Sequence, residues 1–373
     1  MGERFTWGLV ALLVSAVAAA ADEPREWLQR MNHALTANDY DGVFSHWQDG
    51  KVEMLRIIHR VKNGEVRERL VSLDGSGREF IRTGSELACY LPDKKTVLVE
   101  KRSEQNPLLG NFPVFDEAST QFYDIQEIKR TRFNRRNTRI IAVTPKDEFR
   151  YGYRLWIDDS TAMPIRTQLC DASGKVIEQV VFSDLTFNAH IPDTAFKPEV
   201  ATDGFQWLRN DMPAPLLAGG NSALWNAAKL PPGFALTVRA AQVMPGSADP
   251  VAHLVYSDGM ASVSVFVEVQ TSRSKGQGGD GQKVLVQPPS STAQVGSSSA
   301  FSTVIEGHKV TAVGEVPPRT VEFIANSVKS STTGMSSLQT APGLQSAPSM
   351  RSPSLPATPS LQSAPSLQSV PRH

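Results

Sequence analysis

Apolar side chains recur along this chain at two spacings, and the change between them marks its architecture. Across residues 26–37, Trp27, Leu28, Met31 and Leu35 share one helical face, which predicts an amphipathic N-terminal helix that must dock on another element. After it the chain reads as strands. Residues 42–48, 52–61, 65–73, 79–82, 87–91 and 96–100 are strand-like, and Asp49-Gly50, Asn63-Gly64, Asp74-Gly75 and Asp93-Lys94 lie between them. Asn-Gly and Asp-Gly accept the positive backbone angles of tight hairpins, so consecutive strands are expected to be antiparallel.

Pro107, Gly110 and Pro113 interrupt this meander, and a short helix is expected over 116–123. Alternation then resumes. Tyr151, Tyr153, Leu155 and Ile157 alternate with Gly152, Arg154, Trp156 and Asp158, and Met163, Ile165, Thr167 and Leu169 repeat the pattern before a turn at 171–174 and a strand over 176–185. Proline and small residues at 212–220 mark a linker. The expected division is a large domain at 22–205, a linker at 206–224 and a smaller domain at 225–329. In the smaller one, 251–256 and 261–269 form a hairpin around Asp258-Gly259, with Ala261, Val263, Val265, Val267 and Val269 on one face. Pro317-Pro318 opens a helix whose stripe is Val321, Ile324, Ala325 and Val328. The Gly-, Ser- and Gln-rich stretch 271–299 reads as a loop. The Leu-Gln-Ser-Ala-Pro-like units of 330–373, nearly without charge, read as a disordered tail.

Residues 1–21 have the form of a secretory signal: Arg4, an apolar run at 9–17, then small residues at 18–21. The mature chain is therefore expected in the periplasm, where Cys89 and Cys170 are either a disulfide or two buried free thiols. Lysine plus arginine and aspartate plus glutamate each total 38, so no global field favours nucleic acid, and none is expected as a partner. The most basic stretch holds Lys129, Arg130, Arg132, Arg135, Arg136 and Arg139 around Phe133. In an envelope protein its functional reading is lipid phosphate or an acidic partner, and its structural reading is a solvated strand pair. Gly276, Gly278 and Gly281 spell a dinucleotide pattern without the strand and helix it requires. The seven histidines form no metal or nucleophile motif, so no cofactor, metal or catalytic residue is expected and the chain reads as a non-enzyme.

The segment 145–158, Pro-Lys-Asp-Glu-Phe-Arg-Tyr-Gly-Tyr-Arg-Leu-Trp-Ile-Asp, followed by Met163-Pro164-Ile165-Arg166, resembles the RseB/MucB family. Leu230-Pro231-Pro232-Gly233-Phe234, the His253–Gly259 and Ser264–Glu268 strands, Gly307–Thr311 and Gly314–Pro317 extend the resemblance over 22–329. It implies an α+β protein: a large, curved, unclosed antiparallel sheet like that of the lipoprotein carriers, with helices on its concave face, and a smaller α+β domain. It also implies a regulator that binds the periplasmic domain of a membrane anti-sigma factor of the RseA or MucA type, shields it from proteolysis and lets go when lipid or lipopolysaccharide binds. A carrier of lipids or lipoproteins is the alternative, and homo-oligomerisation is left open. Phe44, Met54, Ile57, Leu70, Phe80, Tyr90 and Val97 are available for an inner, lipid-binding face, with Arg135 and Arg136 for phosphates. A cleft between the domains would place Arg150, Tyr151 and Trp156 opposite Tyr256, Asp258, Phe266 and Glu268 as partner-binding residues.

Overall fold

The computed structural model describes residues 23–101, 108–109, 121–188, 190–210, 216–217, 225–242, 251–269 and 290–330. The expected signal segment at 1–21, the residues beyond Ser330, the 276–281 glycines, most of 212–220 and all but the last three residues of the expected 116–123 helix lie outside them.

Helix α1 (Pro24–Ala37) begins on a proline, whose missing N–H costs nothing in a first turn, and buries the predicted stripe together with Ala34. It packs on one face of a sheet built from β1 (Tyr40–Gln48), β2 (Lys51–Lys62), β3 (Glu65–Ser72), β4 (Glu79–Thr83), β5 (Glu86–Leu91), β6 (Thr96–Lys101), β7 (Tyr123–Phe133), β8 (Arg136–Pro145), β9 (Gly152–Asp158), β10 (Pro164–Cys170), β11 (Val176–Phe187) and β12 (Gln206–Asn210). The order β12-β6-β5-β4-β3-β2-β1-β11-β10-β9-β8-β7 leaves β12 and β7 as two separate edges, so the sheet is unclosed. The Asp49-Gly50 and Asn63-Gly64 turns have positive φ throughout, as two-residue hairpins need.

The core of this lobe lies between α1 and the face carrying Tyr40, Phe44, Leu55, Ile57, Ile141, Val143, Leu155, Ile157 and Phe182, with Leu109 packed among them. Arg139 lies 3.4 Å over the Trp27 ring and bonds Asp159 and Glu127, so it fastens α1 to the sheet rather than facing water. The opposite face has smaller clusters around Ile81, Tyr90, Val97 and Val99, and around Ile58, Ile191 and Phe196.

The second lobe is a seven-stranded antiparallel sheet, β13-β15-β16-β17-β20-β19-β18, from β13 (Leu216–Leu217), β15 (Ala235–Gln242), β16 (Val251–Ser257), β17 (Ser262–Val269), β18 (Ser291–Val295), β19 (Ser298–Ile305) and β20 (His308–Gly314). Helix α2 (Pro318–Asn326) covers one face, and the short pair β14 (Trp225–Ala227) and β21 (Val328–Ser330) closes its end. The core is the period-two set of β16 and β17, Ala252, Leu254, Tyr256, Val263, Val265 and Val267, against Val321, Ile324 and Ala325 of α2.

Three sequence expectations shift. Residues 206–210, assigned to a linker, form β12, a parallel neighbour of β6. Residues 291–299, assigned to a loop, form β18 and the start of β19, joined by a turn in which Gly296 takes φ 58°. Val328, counted on the last helix, is in β21, because the helix stops at Asn326 and its buried side chain arrives from a strand. No helix among the described residues is long and apolar enough to cross a membrane.

Candidate functional site

Where a cleft between the lobes was expected, the structure has a filled junction. Arg150 leaves the loop before β9 and places Nη1 2.8 Å from Asp258 Oδ2 of the β16–β17 turn, with both side chains fully buried. Its Nη2 donates to the Pro232 carbonyl at 2.5 Å and its Nε to Asp147 Oδ1 at 3.1 Å, and its guanidinium lies over the Phe122, Tyr123 and Phe234 rings. Asp258 Oδ1 accepts the Met260 and Ala261 N–H groups, which shapes the turn. Burial pushes the Asp258 carboxyl up, while those N–H groups and Arg150 favour its charged form.

Tyr151 is buried at the same junction, near Ser299 and Gln294 of the second lobe but with its hydroxyl making no hydrogen bond among the described residues, and burial takes its pKa up to about 12. The glycine at 233 has a specific cause: φ is +80°, and a Cβ there would lie 2.2 Å from the Phe122 ring. Two further points join the lobes. Thr320 Oγ1 donates to the Phe149 carbonyl at 2.7 Å, and Gly296 N–H donates to Asp49 Oδ2 at 2.7 Å.

The other partner candidates lie elsewhere. Trp156 is on the sheet face turned away from α1, under the Arg166 guanidinium at 4.5 Å, because it alternates with the core residues Leu155 and Ile157. Tyr256 is in the core of the small lobe, where its hydroxyl accepts the Ala227 N–H at 2.7 Å and donates to Asn226 at 3.3 Å. Phe266 stacks on His253 at 4.5 Å on the opposite face of that sheet, and Glu268 forms a surface pair with Lys309. Of the seven, then, Arg150, Tyr151 and Asp258 meet and the other four do not.

The expected lipid face also divides. Strand register puts Phe44, Ile57, Leu70 and Phe80 on the α1 side of the sheet. It puts Met54, Tyr90 and Val97 on the other side, one residue out of phase, which corrects the inner-face placement of those three. Phe44 and Ile57 are committed to the packing of α1, whereas Leu70 and Phe80 are half-buried. Cross-strand pairing continues their row through Cys89 and Leu98 to Leu208 of the edge strand β12. An apolar strip therefore runs from the core to an open edge.

The basic run is the β7–β8 hairpin. Asn134 and Arg135 form its turn at φ 47° and 64°, and Arg135 is exposed beside a cavity of about 400 Å³ lined also by Ile165, Phe182 and Ser183. Arg136 is turned inward, donating to Asp158 at 2.6 Å and to the Leu185 carbonyl at 2.9 Å. Of the two, Arg135 is the exposed one, while Arg136 lines the same cavity with its guanidinium committed to Asp158 and Leu185.

With the geometry in place, the relatives are decisive. Residues 23–200 match the family MucB/RseB N-terminal domain, and residues 220–329 match the family MucB/RseB C-terminal domain. The chain belongs to the MucB/RseB family. It is 30% identical over 325 residues to the sigma factor AlgU regulatory protein MucB of Pseudomonas aeruginosa, covering 86% of this chain and 95% of that one. It is 28% identical over 327 residues to the sigma-E factor regulatory protein RseB of Escherichia coli, covering 86% and 94%. Among solved structures it is similar to a complex of Pseudomonas aeruginosa MucA and MucB, at 27% identity and a TM-score of 0.61 over 83% of this chain and 99% of that one. MucB in complex with MucA(peri) gives a TM-score of 0.62 at 27% identity over 83% and 100%.

In this MucB/RseB member Cys89 and Cys170 are both buried and free. They sit on β5 and β10, six strands apart in the sheet order, so at about 4.8 Å per strand they are far beyond disulfide reach along the sheet. Burial raises both thiols, Cys89 to about 11. His59 and His253 are buried and pushed down to about 4, each chiefly by burial. Among the described residues no group of three or more His, Cys, Asp or Glu is placed to hold a metal ion.

Sequence reasoning missed Asp49, Phe149, Pro232, Gly233, Gly296 and Thr320 as junction residues. The signal for some was present: Phe149, Arg150, Pro232, Gly233 and Asp258 all lie in the segments that carried the family resemblance, and those segments converge here.

Proposed function

We propose that this chain is a periplasmic negative regulator of sigma-E-type activity. It binds the periplasmic part of a membrane anti-sigma factor, shields that part from regulated proteolysis, and is released by lipid or lipopolysaccharide. The observation that carries this reading is the match of both lobes, over nearly the full length of the relatives, to proteins named as sigma-factor regulators, one of them solved with MucA(peri). The signal-like residues 1–21 support delivery to the periplasm. In this reading the protein works by binding alone and has no reaction of its own.

The unclosed large sheet supports the lipid arm. The strip Leu70, Phe80, Cys89, Leu98 and Leu208 offers an acyl chain an apolar path from an open edge toward the α1 core. Arg135 stands ready for a phosphate at the far hairpin. The second lobe favours the regulator over a simple carrier, because a carrier needs no partner-binding lobe locked onto its sheet.

Protection is the direct test. The anti-sigma factor's periplasmic part is digested by a protease alone, with this chain, and with this chain plus lipopolysaccharide. The reading expects slow cleavage in the second case and restored cleavage in the third, and equal rates in all three would contradict it.

A further inference from the structure

Helix α2 has two stripes. Thr320, Val321, Ile324 and Ala325 are buried in the small lobe, whereas Arg319, Glu322, Phe323 and Asn326, at spacings of three and four, stay exposed along the opposite side. That second stripe forms one wall of a groove of about 770 Å³ whose other walls are Phe149 of the large lobe and Ala228, Lys229, Ser327 and Lys329 beside the β14–β21 pair.

Phe323 is 37% exposed and meets the Phe149 ring edge-on at 5.2 Å, so a two-ring apolar platform lies open in the groove. The walls are fixed. Thr320 is bonded to Phe149, and Ser327 Oγ donates to the Lys229 carbonyl at 2.6 Å while the Ala228 N–H donates to the Ser327 carbonyl at 2.8 Å. The charges are unequal. Arg319 is paired with Glu148, but Lys229 and Lys329 are exposed with no carboxylate partner among the described residues, leaving Glu322 as the groove's own acid.

We infer that this groove is the docking site for an acidic peptide segment of the anti-sigma partner, one that sets a bulky apolar side chain on Phe149 and Phe323 and carboxylates on Lys229 and Lys329. This rests on the proposed regulator reading. Preformed walls, an aromatic platform and flanking cations suit a peptide anchor with charged neighbours. An acyl chain would need apolar walls throughout, and here the two rings and Ala228 supply the apolar lining. The groove also has a wall from each lobe, and Phe149 precedes Arg150 of the buried ion pair, so an occupant touches the element that joins the lobes.

The test compares the full chain with Phe323→Ala and with the double variant Lys229→Glu, Lys329→Glu, measuring affinity for the purified periplasmic part of the same organism's anti-sigma factor. All substituted side chains are at the surface, and circular dichroism confirms the fold. Each variant is expected to bind about tenfold weaker or worse, and the double variant to lose most of the salt dependence of binding. Wild-type binding with both variants within about twofold of it would overturn the inference and leave the regulator reading standing. A wild-type chain that does not bind the segment at all would remove both. If Phe323→Ala instead abolished self-association, or binding to anionic phospholipid vesicles, with partner affinity unchanged, the groove would belong to a second copy or to a lipid surface, and the inference would fail.

Discussion

Arg150 and Asp258, from different lobes, form a fully buried ion pair at 2.8 Å. Two desolvated charges stabilise only while both are present, since either alone is an uncompensated buried charge. Arg150→Met is therefore expected to lower stability by about 3–5 kcal/mol, and the double variant Arg150→Met, Asp258→Asn by clearly less than the sum of the two single changes. Denaturant unfolding of the four proteins checks this. Additive losses would mean that the pair is not coupled.

The two arginines of the β7–β8 turn are expected to respond differently. Arg136 satisfies the buried Asp158, whose carboxyl burial would raise but which Ser160 and Arg136 hold below its usual value, so Arg136→Glu should cost stability, about 1–3 kcal/mol or more. Arg135→Glu should leave the melting temperature nearly unchanged and weaken lipopolysaccharide binding. Equal effects of the two on both readouts would contradict the structure's division of their roles.

Tyr256 is a core residue whose hydroxyl accepts the Ala227 N–H, so Tyr256→Phe should cost about 1–3 kcal/mol by stranding that group. Affinity for the anti-sigma segment should stay unchanged when measured well below the melting temperature. A selective loss of affinity with intact stability would return Tyr256 to the partner surface.

Buried histidines predict an acid response. His59 and His253 are held neutral in the fold with values near 4, against 6.5 when exposed. Their contribution is complete above about pH 6.5 and is lost as pH falls toward 4, because the unfolded chain takes up the protons first; each is worth on the order of 3 kcal/mol at full effect. Unfolding free energy measured from pH 7 to 4.5 should fall, and His253→Gln should flatten part of the slope. A flat profile in the parent protein would contradict the burial of both rings.

Much of this was legible in the residues, for physical reasons. The α1 stripe and the Asn-Gly and Asp-Gly hairpins are local signals, and they gave helix, strands and antiparallel order directly. Faces were harder. Met54 was grouped with Ile57 although an odd spacing separates them, and Tyr90 sits one residue from Cys89, so each falls on the other side of the pleat. Tyr256 could have been read correctly, since 252, 254 and 256 share a period with the Val263, Val265 and Val267 row. The β6–β12 pairing and the Arg150–Asp258 contact join residues about a hundred positions apart, and no local pattern encodes them.

The central claim is that this chain binds an anti-sigma factor and that a lipid signal loosens the grip. Titration calorimetry of the protein with the periplasmic part of its own organism's anti-sigma factor, with and without lipopolysaccharide, tests it most directly. The account predicts binding that weakens when the lipid is present. Lipid binding with no affinity for the anti-sigma segment would contradict it and make the protein a carrier.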